Sequence, residues 1–188
     1  MGIVERKGRQ RAEREDRIIA AARRIAERDG WNAVTIRRLA EEIEHSQPVL
    51  YSHFENREAI VAAVAVEGFR DLTTALREAA RDLANGDALE SVALAYLAFA
   101  RRHPALYEAM FTLPTALRFA VSDTQPELRD AFAALAAVVS PSSHDVDLAT
   151  ETLWAAFHGL AELDRSGRIR QSARIDRVRL LIHGRLGP

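Results

Sequence analysis

The stretch TIRRLAEEIEHSQPVLYSHFENRE, residues 35–58, decides the fold of the N-terminal part of this chain. Thr35 and Ser46 are residue types that cap helices, and each precedes a short segment with apolar residues at helical spacing. The apolar residues expected to seal the inner face are Leu39, Ala40, Ile43, Leu50 and Phe54. The pattern predicts two short helices joined by a tight turn, which is a helix-turn-helix unit.

The second of these helices is expected to present polar and aromatic side chains outward. Gln47 suits the N6 and N7 atoms of adenine in a major groove, and Val49 suits a thymine methyl group. Tyr51 and His53 suit hydrogen bonds to phosphate oxygens. Pro48 falls in the first turn, where its missing N–H is tolerated. The pattern predicts a DNA-binding surface; the alternative is that both helices only pack, with Tyr51 in the core.

Residues 18–64 resemble the N-terminal domain of the TetR family of bacterial repressors. The matching features are the alanine pair after Ile19, Gly30, the Thr35–Leu39–Ala40 pattern, Ser46, the LYSHF run and the following NRE. The resemblance implies phosphate anchors at Tyr51, His53 and Arg57 and base readers at Gln47 and Val49. The full candidate set for DNA contact is Thr35, Arg37, Ser46, Gln47, Pro48, Val49, Tyr51, His53 and Arg57, and Arg38 is a further candidate; Arg37 and Arg38 are alternatively solvated.

The turn between the two helices departs from the family pattern. Glu44 stands where the family usually has glycine, and His45 stands where it usually has an aliphatic residue. Holding a non-glycine residue at positive φ costs about 1 kcal/mol or more, which favours another conformation of this turn. His45 is expected to be partly exposed or satisfied by a neighbour.

The composition limits which other kinds of protein and of site this chain can form. The 188 residues include 26 basic and 27 acidic side chains, no cysteine and 48% hydrophobic residues, so disulfides and cysteine-based metal sites are excluded. The longest apolar runs, residues 92–100 and 131–139, are too short to span a membrane, and no signal peptide is recognisable, so a soluble cytoplasmic protein is predicted. Residues 1–14 carry five basic and two acidic side chains, a local charge of +3. They suit an arm that reaches phosphates and also a solvated, frayed terminus, and the two interpretations are compatible.

The whole chain has helical patterning, and no strand-like alternation is convincing. About nine helices of an all-α fold are predicted, near residues 10–28, from 35, from 46, 56–83, 88–102, from 104, 127–139, 147–165 and 173–186. A border near Ala62 gives a helix-turn-helix DNA-binding domain at residues 1–62 and a helical ligand-binding and dimerisation domain at residues 63–188.

The C-terminal part carries no catalytic signature. It has neither a glycine-rich phosphate loop nor a serine in a nucleophile elbow. The SHDVD run at residues 143–147 is a weak metal-site pattern, and a helix N-cap is the favoured interpretation. We therefore predict no enzyme activity, no catalytic residue, no metal and no cofactor.

Two aromatic segments of the C-terminal part, HPALYEAMF (103–111) and WAAFHG (154–159), resemble the regulatory domain of a TetR subclass with a Trp-x-x-x-His-Gly signature. The resemblance implies a ligand-binding domain with Trp154 and His158 near its pocket or the dimer interface. The candidate ligand residues are Tyr96, Phe99, Tyr107, Met110, Phe111, Trp154, Phe157 and His158. Each is alternatively a core residue, and His158 a satisfied buried histidine. The scarcity of charge predicts a neutral or apolar effector.

The last two predicted helices carry more apolar surface than one neighbour covers, and paired across a two-fold axis they form a four-helix bundle. Packing within one monomer is the alternative. The prediction is a homodimeric repressor that binds a palindromic double-stranded DNA operator and a small-molecule effector, with no membrane partner. The alternatives are a helical small-molecule-binding protein or enzyme without DNA binding, and a nucleoid-type or activating DNA-binding protein.

Overall fold

The computed structural model describes residues 2–82, 87–119, 121–139 and 145–184. Within these ranges the chain forms nine α-helices, two short 3-10 helices and no strand, which confirms the all-α prediction. The α-helices are α1 Ile3–Asp29, α2 Ile36–Glu42, α3 Gln47–Tyr51, α4 Arg57–Arg81, α5 Ala88–Arg102, α6 Pro104–Phe111, α7 Pro126–Ala136, α8 Val146–Arg165 and α9 Arg174–His183. None of these described helices is long and apolar enough to cross a membrane.

The fold comprises two compact units. The first contains Met1–Gly68 and Ala105–Arg118, and the second contains Phe69–Pro104 and Phe119–Pro188. Helix α4 therefore begins in the first unit and ends in the second, while nearly all of α6 belongs to the first. The functional ranges 1–62 and 63–188 stay a prediction, because compactness alone does not assign a function to a unit.

The core of the first unit is built on one stripe of α1. Ile18, Ala22 and Ile25 are fully buried at the helical spacing that the sequence shows. Leu39 of α2 and Leu50 of α3 are equally buried, and α2 packs against both α1 and α3. Each such leucine contributes about 1.5–3 kcal/mol by leaving water. The predicted inner face therefore seals the helix-turn-helix unit, with Phe54 half-buried at its edge.

Helix α1 begins at Ile3, earlier than the predicted start near Gln10. The apolar periodicity that predicted the helix starts only at Ile18, but arginine, glutamate and lysine are good helix formers without a buried face. The Glu5 carboxylate also accepts a hydrogen bond from the Gly2 backbone N–H at 2.9 Å, which supports the first turn. The N-terminal residues are therefore helical rather than frayed.

The N-terminus of α6 is fixed to α1 within the first unit. The Glu27 carboxylate accepts hydrogen bonds from the backbone N–H groups of Ala105 at 3.2 Å and Leu106 at 3.0 Å. The Trp31 indole Nε1 donates to the Ala105 carbonyl at 2.8 Å. The two bonds to Glu27 satisfy N–H groups that a helix N-terminus leaves without partners.

Gly68 allows α4 and α6 to approach closely. A Cβ atom at this position would lie 2.6 Å from Met110 Sδ and 2.9 Å from Leu106 Cδ1. Because both distances are shorter than van der Waals contact, this position requires glycine unless its neighbours move.

The second unit is organised around α5, which packs against α8 and α9, while α7 packs against α8. Its buried residues include two carboxylates, each paired with an arginine of α9. Asp164 binds Arg174 at 2.7 Å, and Glu90 binds Arg179 at 2.9 Å. A buried carboxylate is tolerated when it is paired in this way, so these pairs help to position α9.

Several predicted boundaries agree with the structure. Helix α5 spans the predicted 88–102, and Asp87 caps it by accepting from the Leu89 N–H at 2.8 Å. Helix α7 begins at Pro126 and ends at Ala136, three residues short of the predicted end. Part of the predicted NGD break, residues 85 and 86, and part of the SHDVD run, residues 143 and 144, lie outside the described residues.

Candidate nucleic-acid interface

Helices α2 and α3 form the predicted helix-turn-helix. Thr35 caps α2, and its Oγ1 accepts a hydrogen bond from the Arg38 backbone N–H at 3.2 Å. Ser46 is the N-cap residue of α3, although its side chain makes no capping hydrogen bond, and Pro48 lies in the first turn. Both predicted helix starts are therefore confirmed.

The turn adopts the left-handed conformation in spite of its sequence. Glu44 has φ 57°, the value that a glycine would adopt without cost. The His45 backbone N–H then donates to the Ala40 carbonyl at 2.9 Å, which closes the turn. The expectation of another turn conformation was wrong, because closing the helix end outweighs the strain at one residue. His45 is half-buried, and its Nε2 has no hydrogen-bond partner among the described residues.

The outer face of α3 is open to solvent. Ser46, Gln47 and Pro48 are exposed, Val49 is half-buried, and Tyr51 is 54% exposed, unusually high for an aromatic side chain. A concavity of about 710 Å³ adjoins this face, lined by Arg37, Ala40, Glu41, Glu44, His45, Ser46, Gln47 and Val49. The helix therefore presents a polar and aromatic surface that a macromolecule can reach.

The two arginines of α2 differ in their surroundings. The Arg37 side chain is 80% exposed, with Glu41 3.6 Å away, and remains accessible to an anion. The Arg38 guanidinium is bound to the Asp29 carboxylate. Arg28, which also donates to Asp29, and Arg38 together lower the pKa of Asp29 below its ordinary value. Arg38 is thus paired within the protein, an arrangement that the sequence had not predicted.

Two predicted phosphate anchors point into the first unit. The His53 side chain is 2% exposed, and its Nδ1 lies 3.2 Å from Glu15 Oε1 of α1. Arg57 donates through Nε to the Val34 carbonyl at 2.9 Å and through Nη2 to the Trp31 carbonyl at 2.6 Å. The expectation that His53 points outward was therefore wrong. His53 instead contacts α1 just after the end of α3, and Arg57 fastens the start of α4 to the segment before α2.

Sequence reasoning missed these partners because they are remote along the chain. Glu15 and His53 are 38 residues apart. Arg11, one turn before Glu15 on the same side of α1, donates through Nη2 to the Ser52 carbonyl at 3.0 Å across 41 residues. Helical spacing identifies the face of a helix on which a residue lies, but not the element that meets this face. No signal in the sequence would have found these contacts.

The candidate ligand residues divide between the units. In the second unit, Trp154 Nε1 donates to the Tyr96 hydroxyl at 3.2 Å, and the Tyr96 and Phe157 rings are 6.0 Å apart. Phe99 is buried in α5. His158 is half-buried, and this burial lowers its pKa below the ordinary value, while the Glu162 charge opposes the shift. The remaining candidates, Tyr107, Met110 and Phe111, lie in the first unit, where the rings of Tyr107 and Phe111 are 4.7 Å apart.

Among the described residues, no three or more His, Cys, Asp or Glu side chains are grouped so that they could hold a metal ion. Asp145, from the weak metal pattern, caps α8 by accepting from the Leu148 backbone N–H at 2.9 Å. The N-cap interpretation of this aspartate is therefore confirmed.

Comparison with known proteins agrees with this geometry. Residues 18–64 match the family model of bacterial regulatory proteins of the tetR family, and residues 89–182 match the tetracyclin repressor-like C-terminal domain. The HTH-type transcriptional regulator Rv0681 of Mycobacterium tuberculosis is 30% identical over 157 residues, which are 80% of this chain and 69% of that protein.

Two solved structures share the fold. A protein of unknown function from Rhodococcus sp. RHA1 has a TM-score of 0.68 and 24% identity, covering 89% of this chain and 90% of its own. BioQ, solved with its natural double-stranded DNA operator, has a TM-score of 0.59 and 25% identity, covering 90% of this chain and 96% of its own.

A helix-turn-helix whose second helix keeps its polar face exposed defines the class of helix-turn-helix DNA-binding proteins. The matches to both domains, together with the relative that shares most of its length with this chain, identify the family. The chain belongs to the TetR family of HTH-type transcriptional regulators.

Proposed function

We propose that this regulator is a homodimeric repressor that binds a palindromic operator and is released by a small neutral or apolar effector. The observation that carries the proposal is the exposed face of α3, where Gln47, Pro48 and Tyr51 are open to solvent at the end of a rigidly held turn. A recognition helix in the major groove needs such a face.

The roles of the exposed residues follow from their chemistry. Gln47 offers the amide pair that reads adenine, and Val49 offers a methyl surface for thymine. Tyr51, Thr35 and Arg37 donate to phosphates in this proposal. The Thr35 hydroxyl accepts the capping bond and so keeps its own proton for donation. His53 and Arg57 are supports that set the tilt of α3.

Dimerisation is supported by the surface of the last two helices of the second unit. Large apolar side chains there are at least 39% exposed: Leu148 and Leu163 on α8, and Ile175, Leu180 and Leu181 on α9. Exposed apolar patches of this kind mark protein–protein interfaces. A second copy of the same two helices completes a four-helix bundle and supplies two reading heads, as a palindrome requires.

The proposed effector site is the aromatic cluster of the second unit formed by Tyr96, Phe99, Trp154, Phe157 and His158. Its polar groups are few, and the lowered pKa of His158 favours the neutral imidazole, so an uncharged ligand fits it best. The Trp-x-x-x-His-Gly resemblance supports the same assignment. An effector shifts the DNA-binding equilibrium only by its difference in affinity between the bound and released states.

A gel-shift titration tests the central claim. Double-stranded DNA from upstream of the gene is expected to bind with a defined footprint of two half-sites about 34–36 Å apart. Selection from a pool of random duplexes is expected to enrich a palindrome. Failure to select any sequence would overturn the repressor proposal, while a footprint placed to recruit polymerase would indicate an activator.

The two kinds of contact are separable by substitution. Gln47→Ala is expected to relax the choice at one base pair and to cost about 1–3 kcal/mol at the operator. Tyr51→Ala is expected to weaken all duplexes about equally, because a phosphate contact carries no sequence information. Binding to single-base operator variants measures both effects. If both variants behave as wild type, α3 is not the recognition helix.

A further inference from the structure

Helix α1 extends beyond the core of the first unit as a basic overhang, defined here as residues 5–14. Residues 5–13 are all exposed, and from residue 5 onward Ile18 is the first buried residue of α1. The part of the helix before Ile18 is about 22 Å long at 1.5 Å per residue. Within this length Arg11, Glu15 and Arg17 contact the rest of the first unit.

The basic residues of the overhang are not evenly distributed around the helix. At 100° per residue, Lys7 and Arg14 lie within about 60° of Arg11. Farther along α1, the same side of the helix carries the buried residues Ile18 and Ala22. The stripe of α1 that is apolar inside the unit is therefore cationic outside it, and we call Lys7, Arg11 and Arg14 the basic stripe.

The acidic residues of the overhang lie away from this stripe. Glu5 and Glu13 are displaced from Arg11 by about 120° and 160° around the helix. Arg6 is displaced by about 140°, on the far side. Within residues 5–14 the basic stripe therefore carries one charge sign. Glu15, the next acidic residue, lies about 40° from Arg11 on the same side of the helix and is paired with Arg11 and His53.

Side-chain contacts place this stripe beside α3. Arg11 Nη2 donates to the carbonyl of Ser52, the residue after the last turn of α3, at 3.0 Å, and Arg11 Nε lies 3.1 Å from Glu15 Oε1. The same Glu15 oxygen lies 3.2 Å from His53. The overhang therefore leaves the unit next to the C-terminal end of α3, with Lys7 about 6 Å farther out along the helix axis than Arg11.

We propose that the basic stripe binds phosphates of double-stranded DNA flanking the half-site that α3 reads, through Lys7 and Arg14. This inference rests on the proposed function and adds a second contact surface to it. A duplex carries about one negative charge per 1.7 Å, so a cationic helix beside it meets phosphates whatever the sequence. A membrane surface is disfavoured, because residues 5–14 contain only one apolar side chain, Ala12, and no apolar face.

The test is the salt dependence of binding to a mixed-sequence duplex of about 30 base pairs, which needs no knowledge of the operator. Each lost phosphate contact lowers the slope of log K against log salt by about 0.9. Because a substitution removes one contact from each subunit of the proposed dimer, Lys7→Gln is expected to lower the slope by about 1.8 and Lys7→Gln/Arg14→Gln by about 3.6. Arg6→Gln is the matched control, since it removes the same charge from the far side, and its slope is expected to equal that of wild type. Lys7→Arg is expected to keep the wild-type slope.

The outcomes separate the two proposals. Equal slopes for Lys7→Gln, Arg6→Gln and wild type overturn the basic stripe and leave the role of α3 standing. Failure of the wild type to bind any duplex at low salt overturns both proposals. A reduced melting temperature in Lys7→Gln that Lys7→Arg does not restore would assign Lys7 a structural role and also overturn the inference, as would binding to anionic vesicles in place of DNA.

Discussion

Glu44 holds the strained backbone position of the helix-turn-helix. Among the described residues it is the only non-glycine residue with positive φ, at 57°. The Cβ atom of a residue in this conformation destabilises the fold by about 1–2 kcal/mol, and glycine avoids this strain because it has no Cβ atom. Glu44→Gly is therefore expected to stabilise the protein by about 1 kcal/mol, somewhat less than the full strain because glycine also loses more chain entropy on folding. Urea denaturation measures the free energy of unfolding.

Glu44→Gln is the control for this prediction, because it removes the charge and keeps the Cβ atom. The expected gain is then absent. A similar gain in both variants would mean that electrostatic repulsion from neighbouring carboxylates, such as Glu41 in the same concavity, is the larger cost.

Single residues also show how far sequence reasoning reached into the site. Gln47 and Tyr51 are exposed as predicted, because their exposure depends on the periodicity of their own helix. His53 and Arg57 point inward because Glu15 and two backbone carbonyls, none of them nearby in sequence, offer partners there. The prediction for Glu44 was wrong for a different reason. Its local propensity disfavours the left-handed conformation, but this conformation lets the turn satisfy the Ala40 carbonyl.

At the scale of helices, apolar spacing and caps predicted most elements closely. The exceptions are helix ends that do not depend on an apolar face. The first three turns of α1 rest on propensity, and α7 ends before Val139 although the apolar run continues. Periodicity reports burial, and a helix can be longer or shorter than its buried part.

The next prediction concerns the Glu27 carboxylate, which caps the N-terminus of α6. Its two carboxylate oxygens each accept one backbone N–H, from Ala105 and Leu106, at the positive end of the α6 dipole. Glu27→Ala leaves both N–H groups without this partner and is expected to cost about 1–2 kcal/mol in the free energy of unfolding. Thermal and urea denaturation measure the loss.

Glu27→Gln and Glu13→Ala calibrate this effect. The glutamine keeps one acceptor oxygen and is expected to recover part of the loss. Glu13→Ala removes an exposed carboxylate from the same helix and is expected to change stability by less than about 0.5 kcal/mol. Equal losses in Glu27→Ala and Glu13→Ala would contradict the capping role.

The lowered pKa of His158 on α8 predicts that the stability of the protein depends on pH. Burial lowers its pKa, so the folded protein binds a proton here less readily than the unfolded chain does. Stability is therefore complete above the ordinary histidine pKa and falls as the pH decreases through it. The free energy of unfolding of wild type minus that of His158→Gln is expected to decrease from about pH 7.5 to about pH 5.5. A difference that is constant over this range would show that protonation of His158 is not disfavoured by folding.

At the scale of the whole chain, the order of the helices along the sequence does not reveal which of the two units each helix belongs to. Helix α6 follows α5 after a single residue, yet nearly all of it belongs with α1 and the helix-turn-helix, held there by Glu27 and Trp31. The sequence pattern placed the aromatic residues of α6 with those of α5 and α8 because all three helices share one composition. Composition predicts burial, whereas the unit in which a helix is buried depends on specific polar contacts.

The last prediction concerns assembly. Leu180 is 47% exposed on α9 and lies on the opposite side of the helix from the fully buried Val178, so Leu180→Glu is expected to leave the monomer folded. In a two-fold dimer each copy loses about 1.5–3 kcal/mol of apolar burial, which raises the dissociation constant about 100-fold or more. Sedimentation measures this change, and operator binding is expected to weaken with it. Val121→Glu, at 39% exposure outside α8 and α9, is the control and is expected to remain dimeric. A Leu180→Glu variant as dimeric as this control would place the interface elsewhere.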